Sequence, residues 1–257
     1  MTDITVRRPV KWHSAEETNT GMVREINEDS ILSMTELGFW AVADGMGGYE
    51  AGNIASNMVV NSLAEIEKHH TLDEMITVIE DCIIDVNQRI MEYAEIVHDG
   101  RTLGSTVASL LIHGNVGACL WVGDSRLYRL RENELTQLSR DHSHVEELLK
   151  QGAILPEEIE SHPEANIITR AVGAMDELFV DINVFDAKVG DTFMLCSDGL
   201  YNCVDRSSIV EILGDPQAQE GVSNLVARAL ENGAPDNVSV IIVKAVPANH
   251  AVEQGCE

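Results

Sequence analysis

The chain is poor in positive charge and in aromatic residues. Of its 257 residues, 17 are Lys or Arg and 43 are Asp or Glu, so the formal net charge is -26, and aromatic residues make up only 4%. Nucleic acids and anionic membrane surfaces repel such a chain, and we expect neither as a partner. Most of the acids are expected to form a solvated surface, so any acids that bind cations have to be found by position.

The sequence also lacks the features of secreted and membrane proteins. Its five cysteines form no CxxC pair, and their odd number and the apolar surroundings of two of them are typical of buried thiols in a reducing cytosol. No apolar segment follows the first basic residues, as a signal peptide would require. The longest uncharged run, 102–123, contains four glycines and a polar break and predicts two buried strands. We therefore expect a cytoplasmic protein.

Several common catalytic motifs are missing as well. There is no GxSxG, no Walker phosphate loop, no HExxH and no complete GxGxxG. His142 and His144 are candidate metal ligands, but we interpret them as exposed residues at the start of a helix.

Short apolar segments predict a fold of mixed strands and helices. Brief turns, such as 113–115 and 131–133, favour antiparallel pairing of the strands. The predicted strands are 30–34, 39–43, 106–112, 118–122, 126–131, 180–186, 192–196 and 238–246. Helices are predicted near 54–66, 71–93, 143–151, 207–213 and 220–232. The apolar face of 71–93 is expected to pack on a sheet, with a coiled-coil seam as the alternative.

Carboxylates recur where these predicted strands begin or end. FWAVADGMGG (39–48) and LCSDGL (195–200) both run an apolar strand into an Asp-Gly pair, and three further strands have acids at an end. The acids are Glu28, Asp29, Asp44, Asp124, Asp198 and Asp236. Each one alone is more often a turn or cap residue. Because neighbouring strand ends lie within several ångströms of each other, we expect the acids to gather at one edge.

Gathered carboxylates repel one another, which raises their pKa values unless cations neutralise them. An all-oxygen group without Cys or His fits magnesium or manganese better than zinc or copper. The glycine after Asp44 allows close backbone approach, so the Gly45 carbonyl can add a ligand. Two such ions activate water for displacement at phosphorus. Arg24 lies nearby in the sequence and suits a phosphate, with a plain surface arginine as the alternative.

Six motifs, taken in order, resemble the bacterial branch of the metal-dependent protein serine/threonine phosphatases, type 2C. They are VREINED (23–29), VADGMGG (42–48), LGSTVAS (103–109), VGDSR (122–126), SDGL (197–200) and DNVS (236–239), and the match spans about residues 15–245. The resemblance implies an α+β fold, a four-layer α-β-β-α sandwich of two packed antiparallel sheets flanked by helices. It also implies a single catalytic domain over 1–246 with a flap insertion near 153–166. The tail, 247–257, has no pattern and is predicted to be disordered.

The resemblance implies ligands for two manganese or magnesium ions. Asp44 would bridge the two ions, and Gly45 would contribute its carbonyl oxygen. Asp198 and Asp236 would complete the two sites.

The resemblance also implies roles around these two ions. Asp29 and Glu28 would act through coordinated waters, and Arg24 would bind the substrate phosphate. Asp124 would hold a weaker third ion together with Asp198, and Asn166 in the flap would contribute to that third site.

Two positions depart from the family pattern. Eukaryotic members carry a histidine where this chain has Met46, and bacterial relatives often carry one where it has Tyr49. The identity of any general acid is therefore open.

The resulting prediction is an enzyme that hydrolyses phosphoserine and phosphothreonine in proteins through a metal-bridging hydroxide, and that reverses a bacterial serine/threonine kinase. One alternative is a catalytically silent member that binds phosphoproteins, and the intact Asp44, Asp198, Asp236 and Arg24 argue against it. The other is a phosphatase for a small phosphomonoester, which the motifs do not separate from the first reading. The sequence does not indicate an oligomeric state, and we take a monomer as the default.

Overall fold

The computed structural model describes residues 10–47, 51–97, 102–159, 162–215 and 217–247. The strands are β1 (Val10–Asn19), β2 (Asp29–Met34), β3 (Phe39–Met46), β4 (Gly104–Ser105), β5 (Val107–His113), β6 (Val116–Val122), β7 (Arg126–Arg131), β8 (Glu134–Gln137), β9 (Asp181–Asp186), β10 (Thr192–Cys196) and β11 (Val238–Pro247). The helices are α1 (Ala51–Ala64), α2 (Leu72–Val97), α3 (His144–Lys150), α4 (Asp198–Tyr201), α5 (Arg206–Gly214) and α6 (Ala218–Glu231). The predicted disordered tail lies outside the described residues apart from Pro247, which ends β11.

The strands form two sheets. One sheet has the order β1-β11-β10-β7-β8, and the other has the order β2-β3-β5-β6-β9 with β4 beside β3. Every strand pair is antiparallel, as the short turns predicted.

Both faces of the central strands are buried, which explains their continuous apolar sequences. In β3, Phe39 and Ala41 pack beneath α1 and α2, whereas Trp40 and Val42 point into the layer between the sheets. Alternate residues of a strand point to opposite faces, so a strand covered on both sides has no polar face.

The second sheet is covered in the same way. In β11, Ile242 packs with Leu225 of α6, and its neighbour Ile241 lies between the sheets. The three apolar layers confirm the predicted α+β sandwich of two antiparallel sheets flanked by helices.

Helix α2 illustrates how a local sequence pattern fixes a boundary. Thr71 and Glu74 form the expected capping box, since the backbone N–H of each donates to the side chain of the other, at 3.2 and 3.4 Å. Met75, Ile79 and Ile83 are buried in the layer over the sheet that contains β3. This helix therefore packs on the sheet, and its apolar stripe is not a coiled-coil seam.

Four of the strands and α-helices were not predicted. Strand β4 has only two residues, too few to show a period. Strand β1 contains the polar run HSAEETN and lies at a sheet edge, so it lacks the apolar pattern of the central strands. Strand β8 and helix α4 have four residues each, too few to show a period.

The segment predicted as a flap lies at the surface. Its residues 153–159 and 162–166 include one turn of 3-10 helix, Pro156–Glu158, and are mostly exposed.

None of the helices within the described ranges is long and apolar enough to cross a membrane.

Candidate metal centre

Strand register brings the predicted acids together. Asp29 of β2 lies directly opposite Asp44 of β3. Asp198 follows β10 and Asp236 precedes β11, and these two strands are neighbours in the other sheet. The pKa of Asp44 is raised well above its ordinary value, first by burial and then by Asp29, Asp198, Asp124 and Asp236. Five acids from both sheets therefore form one electrostatic group, which we call the acidic cluster.

Glycines let the backbone close around this cluster. A Cβ atom on Gly45 would overlap the carbonyl oxygen of Gly52 at the start of α1 and would lie 2.7 Å from the carbonyl oxygen of Glu28. The Glu28 carboxylate accepts a hydrogen bond from the Gly52 N–H at 3.0 Å. The structure thus places Glu28 and Gly45 beside Asp44. One carboxylate oxygen of Glu28 caps the N-terminus of α1.

Asp29 joins the two sheets. Its Oδ2 accepts a hydrogen bond of 2.7 Å from the hydroxyl of Ser197, which directly precedes Asp198. Its Oδ1 is buried and has no hydrogen-bond partner among the described residues. Burial, followed by the repulsion of Asp198 and Asp236, raises the pKa of Asp29 to about 7, although two serine hydroxyls stabilise its charged form.

Burial also raises the pKa values of the acids on the other side of the cluster. Burial and then Asp198 raise the pKa of Asp124 to about 7. Burial and then Asp236 raise the pKa of Asp198 to about 6. A buried polar cluster of this kind is expected to take up either protons or cations at neutral pH.

Arg24 supplies one cation at the rim. Its guanidinium donates to Oδ2 of Asp236 at 2.7 Å, and the Arg24 side chain remains 51% exposed. Because the guanidinium group has five N–H donors, this ion pair leaves donors open to solvent.

Asp124 lies on a turn that buried side chains hold in place. The N–H of Gly123 donates to Nδ1 of His142 at 3.0 Å, and Nε2 of His142 lies 3.1 Å from Asp181. Because Nδ1 accepts, the neutral ring carries its proton on Nε2 and donates it to Asp181. His142 is buried, with 8% of its surface exposed, so its predicted exposure was wrong.

A second set of contacts reaches Asp124 from α4. The hydroxyl of Tyr201 donates to the Asp124 carbonyl oxygen at 3.1 Å. The guanidinium of Arg126 stacks 3.5 Å from the centre of the Tyr201 ring and forms a bidentate ion pair with Asp141. Sequence reasoning missed Tyr201, because nothing in SDGLY shows that its hydroxyl reaches another loop.

A third contact links this turn to β3. The hydroxyl of Thr106 accepts a hydrogen bond from the N–H of Asp44 at 3.1 Å and lies 2.7 Å from the hydroxyl of Ser125. Thr106 and Ser125 are both buried. The positions of Asp44 and Asp124 are therefore coupled through a short hydrogen-bonded chain.

Asn166 lies farther out than the other predicted ligands. It is exposed and, with Tyr201 and Asn202, lines a cavity of about 740 Å³ between the flap segment and α4. Asn202 also donates to Oδ2 of Asp198 at 3.3 Å, so one residue of the cavity wall contacts the acidic cluster. Asn166 makes no hydrogen bond to Asp124 or Asp198 within the described part of the chain.

The donor set fits a hard divalent cation. The cluster offers only oxygen atoms, and one of them, Oδ1 of Asp29, is buried without a partner. Among the described residues, no three His, Cys, Asp or Glu side chains already stand as a ready-made ligand set. Metal binding would therefore require small side-chain movements within the cluster.

Of the two positions that depart from the family pattern, Met46 and Tyr49, the structure describes only Met46. Met46 ends β3, and a Cβ atom on Gly104 would lie 2.9 Å from its Cε atom, so Met46 packs over Gly104. Tyr49 lies outside the described residues.

Comparison with known proteins identifies the family. The family model for protein phosphatase 2C matches residues 23–232. This chain belongs to the protein phosphatase 2C family.

Relatives and solved structures agree with this assignment. The serine/threonine protein phosphatase PstP of Mycobacterium tuberculosis is 35% identical over 240 residues, which cover 93% of this chain and 46% of PstP. The chain thus spans about half the length of that relative. A structure of PppA from Pseudomonas aeruginosa, described as a key regulatory component of T6SS, has a TM-score of 0.86 and 38% identity and covers 93% of this chain and 100% of that one.

A second structure bears on the cofactor. It is the catalytic domain of PstP in complex with two manganese ions, with a TM-score of 0.83 and 33% identity, and it covers 92% of this chain and 99% of that one. A solved structure that resembles this chain therefore holds two manganese ions.

Proposed function

We propose that this chain is a metal-dependent phosphatase that removes phosphate from serine and threonine side chains of proteins. The observation that carries the proposal is the acidic cluster, in which five carboxylates meet at the ends of strands from both sheets beside an exposed arginine. Such a group is unfavourable by itself and becomes favourable when cations bind it.

The proposed core of the site consists of Asp44, Gly45, Asp198 and Asp236. Asp44 is central, since the other acids of the cluster all raise its pKa. We assign it to both of two manganese or magnesium ions, with the Gly45 carbonyl and the other two carboxylates completing the sites. When bound, the two ions supply a water acidic enough to attack phosphorus directly at neutral pH.

The surrounding residues have supporting roles in the proposal. Asp29 and Glu28 act through waters, which is consistent with the hydrogen bonds that already engage one oxygen of each. Asp124 shares a weaker third ion with Asp198, because Asp198 lies close enough to raise the pKa of Asp124. Asn166 would join this third site only if the flap moved toward α4.

Arg24 is proposed to bind the phosphate. Its ion pair with Asp236 holds the guanidinium at the rim of the cluster, and its side chain remains 51% exposed, so further N–H donors are accessible to a phosphate. A planar guanidinium binds two phosphate oxygens at once, which orients the phosphorus over the cluster.

Membership of the family supports a proposal for the wider role. We propose a cytoplasmic enzyme, organised as one catalytic domain over 1–246 with a flap near 153–166, that acts as a monomer and reverses a serine/threonine kinase. The net charge of -26 disfavours nucleic acid and anionic membranes as partners. A silent phosphoprotein-binding member would have no need for a complete cluster.

The test is phosphate release by the purified chain. A phosphothreonine peptide and an aryl phosphate should both be hydrolysed with manganese or magnesium, and chelation should abolish both reactions. Full activity in excess chelator would remove the metal-dependent model. Binding of the phosphopeptide without turnover under all metal conditions would favour the silent alternative.

A further inference from the structure

The loop between β1 and β2, residues 20–28, carries exposed apolar side chains next to Arg24. Met22 is 66% exposed and Val23 is 68% exposed. Single apolar residues at a surface are common and need no explanation. These two, however, directly precede the proposed phosphate ligand.

The loop that presents them is firmly anchored. The buried side chain of Asn237 donates to the carbonyl oxygens of Thr20 and Ile26 at 2.8 and 3.0 Å, which lie on either side of the exposed pair. The Asn237 amide oxygen accepts from the N–H of Glu28 at 2.8 Å. The N–H of Met22 also donates to the carbonyl oxygen of Ala234 at 2.9 Å.

Because the loop is anchored, the exposed side chains of Met22 and Val23 can bind a ligand at a low entropic cost. A loose loop would lose conformational entropy on contact with a ligand, whereas a loop fixed at both ends is already ordered. Met22 and Val23 are therefore held in solvent beside Arg24 in a defined conformation.

We infer that Met22 and Val23 form a contact surface for the substrate polypeptide and receive an apolar side chain next to the phosphorylated residue. This inference rests on the proposed function, because it takes Arg24 as the phosphate ligand. It deepens that function by selecting a protein segment over a small phosphomonoester.

Chain dimensions support a polypeptide as the occupant. Val23 and Met22 lie on a turn, one and two residues before Arg24, so they stay within two Cα–Cα steps of about 3.8 Å of the proposed phosphate ligand. The neighbours of a phosphorylated residue in a polypeptide lie equally close to that residue. A small phosphomonoester ends near the phosphate and gains nothing from this surface. The exposed Glu25 and the net charge of -26 disfavour acidic flanks. The exposed apolar side chains of Met22 and Val23 favour an apolar neighbour, and we commit to that occupant.

The experiment compares two phosphothreonine peptides that differ only in their flanking residues, which are leucine in one and glycine in the other. The variants are Met22→Ser and Val23→Ser, with Val189→Ser as the matched control. Val189 is also exposed, at 48%, and follows β9 at the end of the sheet away from Asp124. The readout is kcat/KM for each peptide divided by kcat/KM for an aryl phosphate.

For the leucine peptide, we expect this ratio to fall about tenfold in each loop variant, which corresponds to losing partial burial of one apolar side chain. The ratio should change much less for the glycine peptide, and Val189→Ser should alter neither ratio. Equal losses on both peptides, or unchanged ratios throughout, would overturn this inference while leaving the phosphatase itself intact. A wild-type chain inactive on the aryl phosphate would instead overturn the proposed function. Val23→Thr, which preserves the shape of the side chain, replaces Val23→Ser if that variant does not fold.

Discussion

Asp29→Asn should stabilise the metal-free protein, although it removes a native charge. Asp29 is 6% exposed, and its carboxylate has a pKa of about 7 against an ordinary value of 3.8. This difference of about three pKa units corresponds to about 4 kcal/mol of destabilisation when the Asp29 carboxylate is ionised in the folded protein. The substitution would recover only part of this free energy, because the Asn amide group needs hydrogen-bond acceptors where a carboxylate oxygen stood. We therefore expect Asp29→Asn to raise the free energy of unfolding by about 2–4 kcal/mol.

The contribution of Asp29 to the free energy of unfolding depends on pH. Because the pKa of Asp29 is higher in the folded protein, the unfavourable contribution is absent below about pH 4 and grows as pH rises toward 7. The free energy of unfolding of the chelated wild-type protein should therefore fall over this range through Asp29. The advantage of Asp29→Asn should be full at pH 8 and should shrink toward pH 4.

The assay is thermal unfolding in chelator at pH 8, where the variant should melt about 4–16 °C higher, given about 2–4 °C per kcal/mol for a chain of this size. Manganese should reverse the order, since only the wild type keeps the full ligand set and gains the full binding energy. Asp191→Asn is the matched control: Asp191 is 2% exposed but receives two hydrogen bonds of 2.7 Å from Arg131, so its loss should destabilise the protein. If Asp29→Asn destabilises the chelated protein as Asp191→Asn does, the reasoning about charge repulsion is refuted.

Three further substitutions probe individual roles. Asp124→Ala should keep two tightly bound manganese ions in calorimetry and lose most activity, whereas loss of tight binding would place Asp124 in the core. Met46→Ala should slow hydrolysis of phosphopeptide and aryl phosphate by similar, modest factors, because methionine has no proton to give; a selective loss of about 10²-fold on the peptide would contradict this. Tyr201→Phe removes the hydroxyl that donates to the Asp124 carbonyl oxygen and should lower turnover about three- to tenfold. Tyr128→Phe, whose hydroxyl instead accepts from Arg126, is the control, and equal losses would mean general destabilisation.

The sequence predicts the central strands well, for a physical reason. Strands such as β10 are buried on both faces, so their residues form an uninterrupted apolar run, and the predicted bounds 192–196 agree with Thr192–Cys196. Edge strand β1 has polar residues along its exposed side, so its sequence resembles that of a loop. Its position is fixed by pairing with β11, which no local pattern records.

The acidic cluster was predictable for a similar reason. Asp44 ends the apolar run of β3, and Asp198 follows β10. These two strands belong to different sheets, and the packing of the sheets face to face brings their ends together. The residues that orient the cluster were not predictable, because their contacts join distant parts of the chain. His142 lies on the loop before α3 and reaches Gly123, and Tyr201 reaches Asp124 from α4. Only the tertiary fold determines these pairs.

The most direct test of the account is phosphate release from a phosphothreonine peptide by wild type and Asp44→Asn at saturating manganese. Asp44 lies at the centre of the cluster, so its substitution should lower turnover by about 10²-fold or more, a magnitude typical of deleting a catalytic electrostatic contact. Asp191→Asn, a buried carboxylate outside the cluster, should remain active at a temperature where it is folded. Turnover by Asp44→Asn at the wild-type rate would contradict the claim that the acidic cluster is the metal centre of a phosphatase.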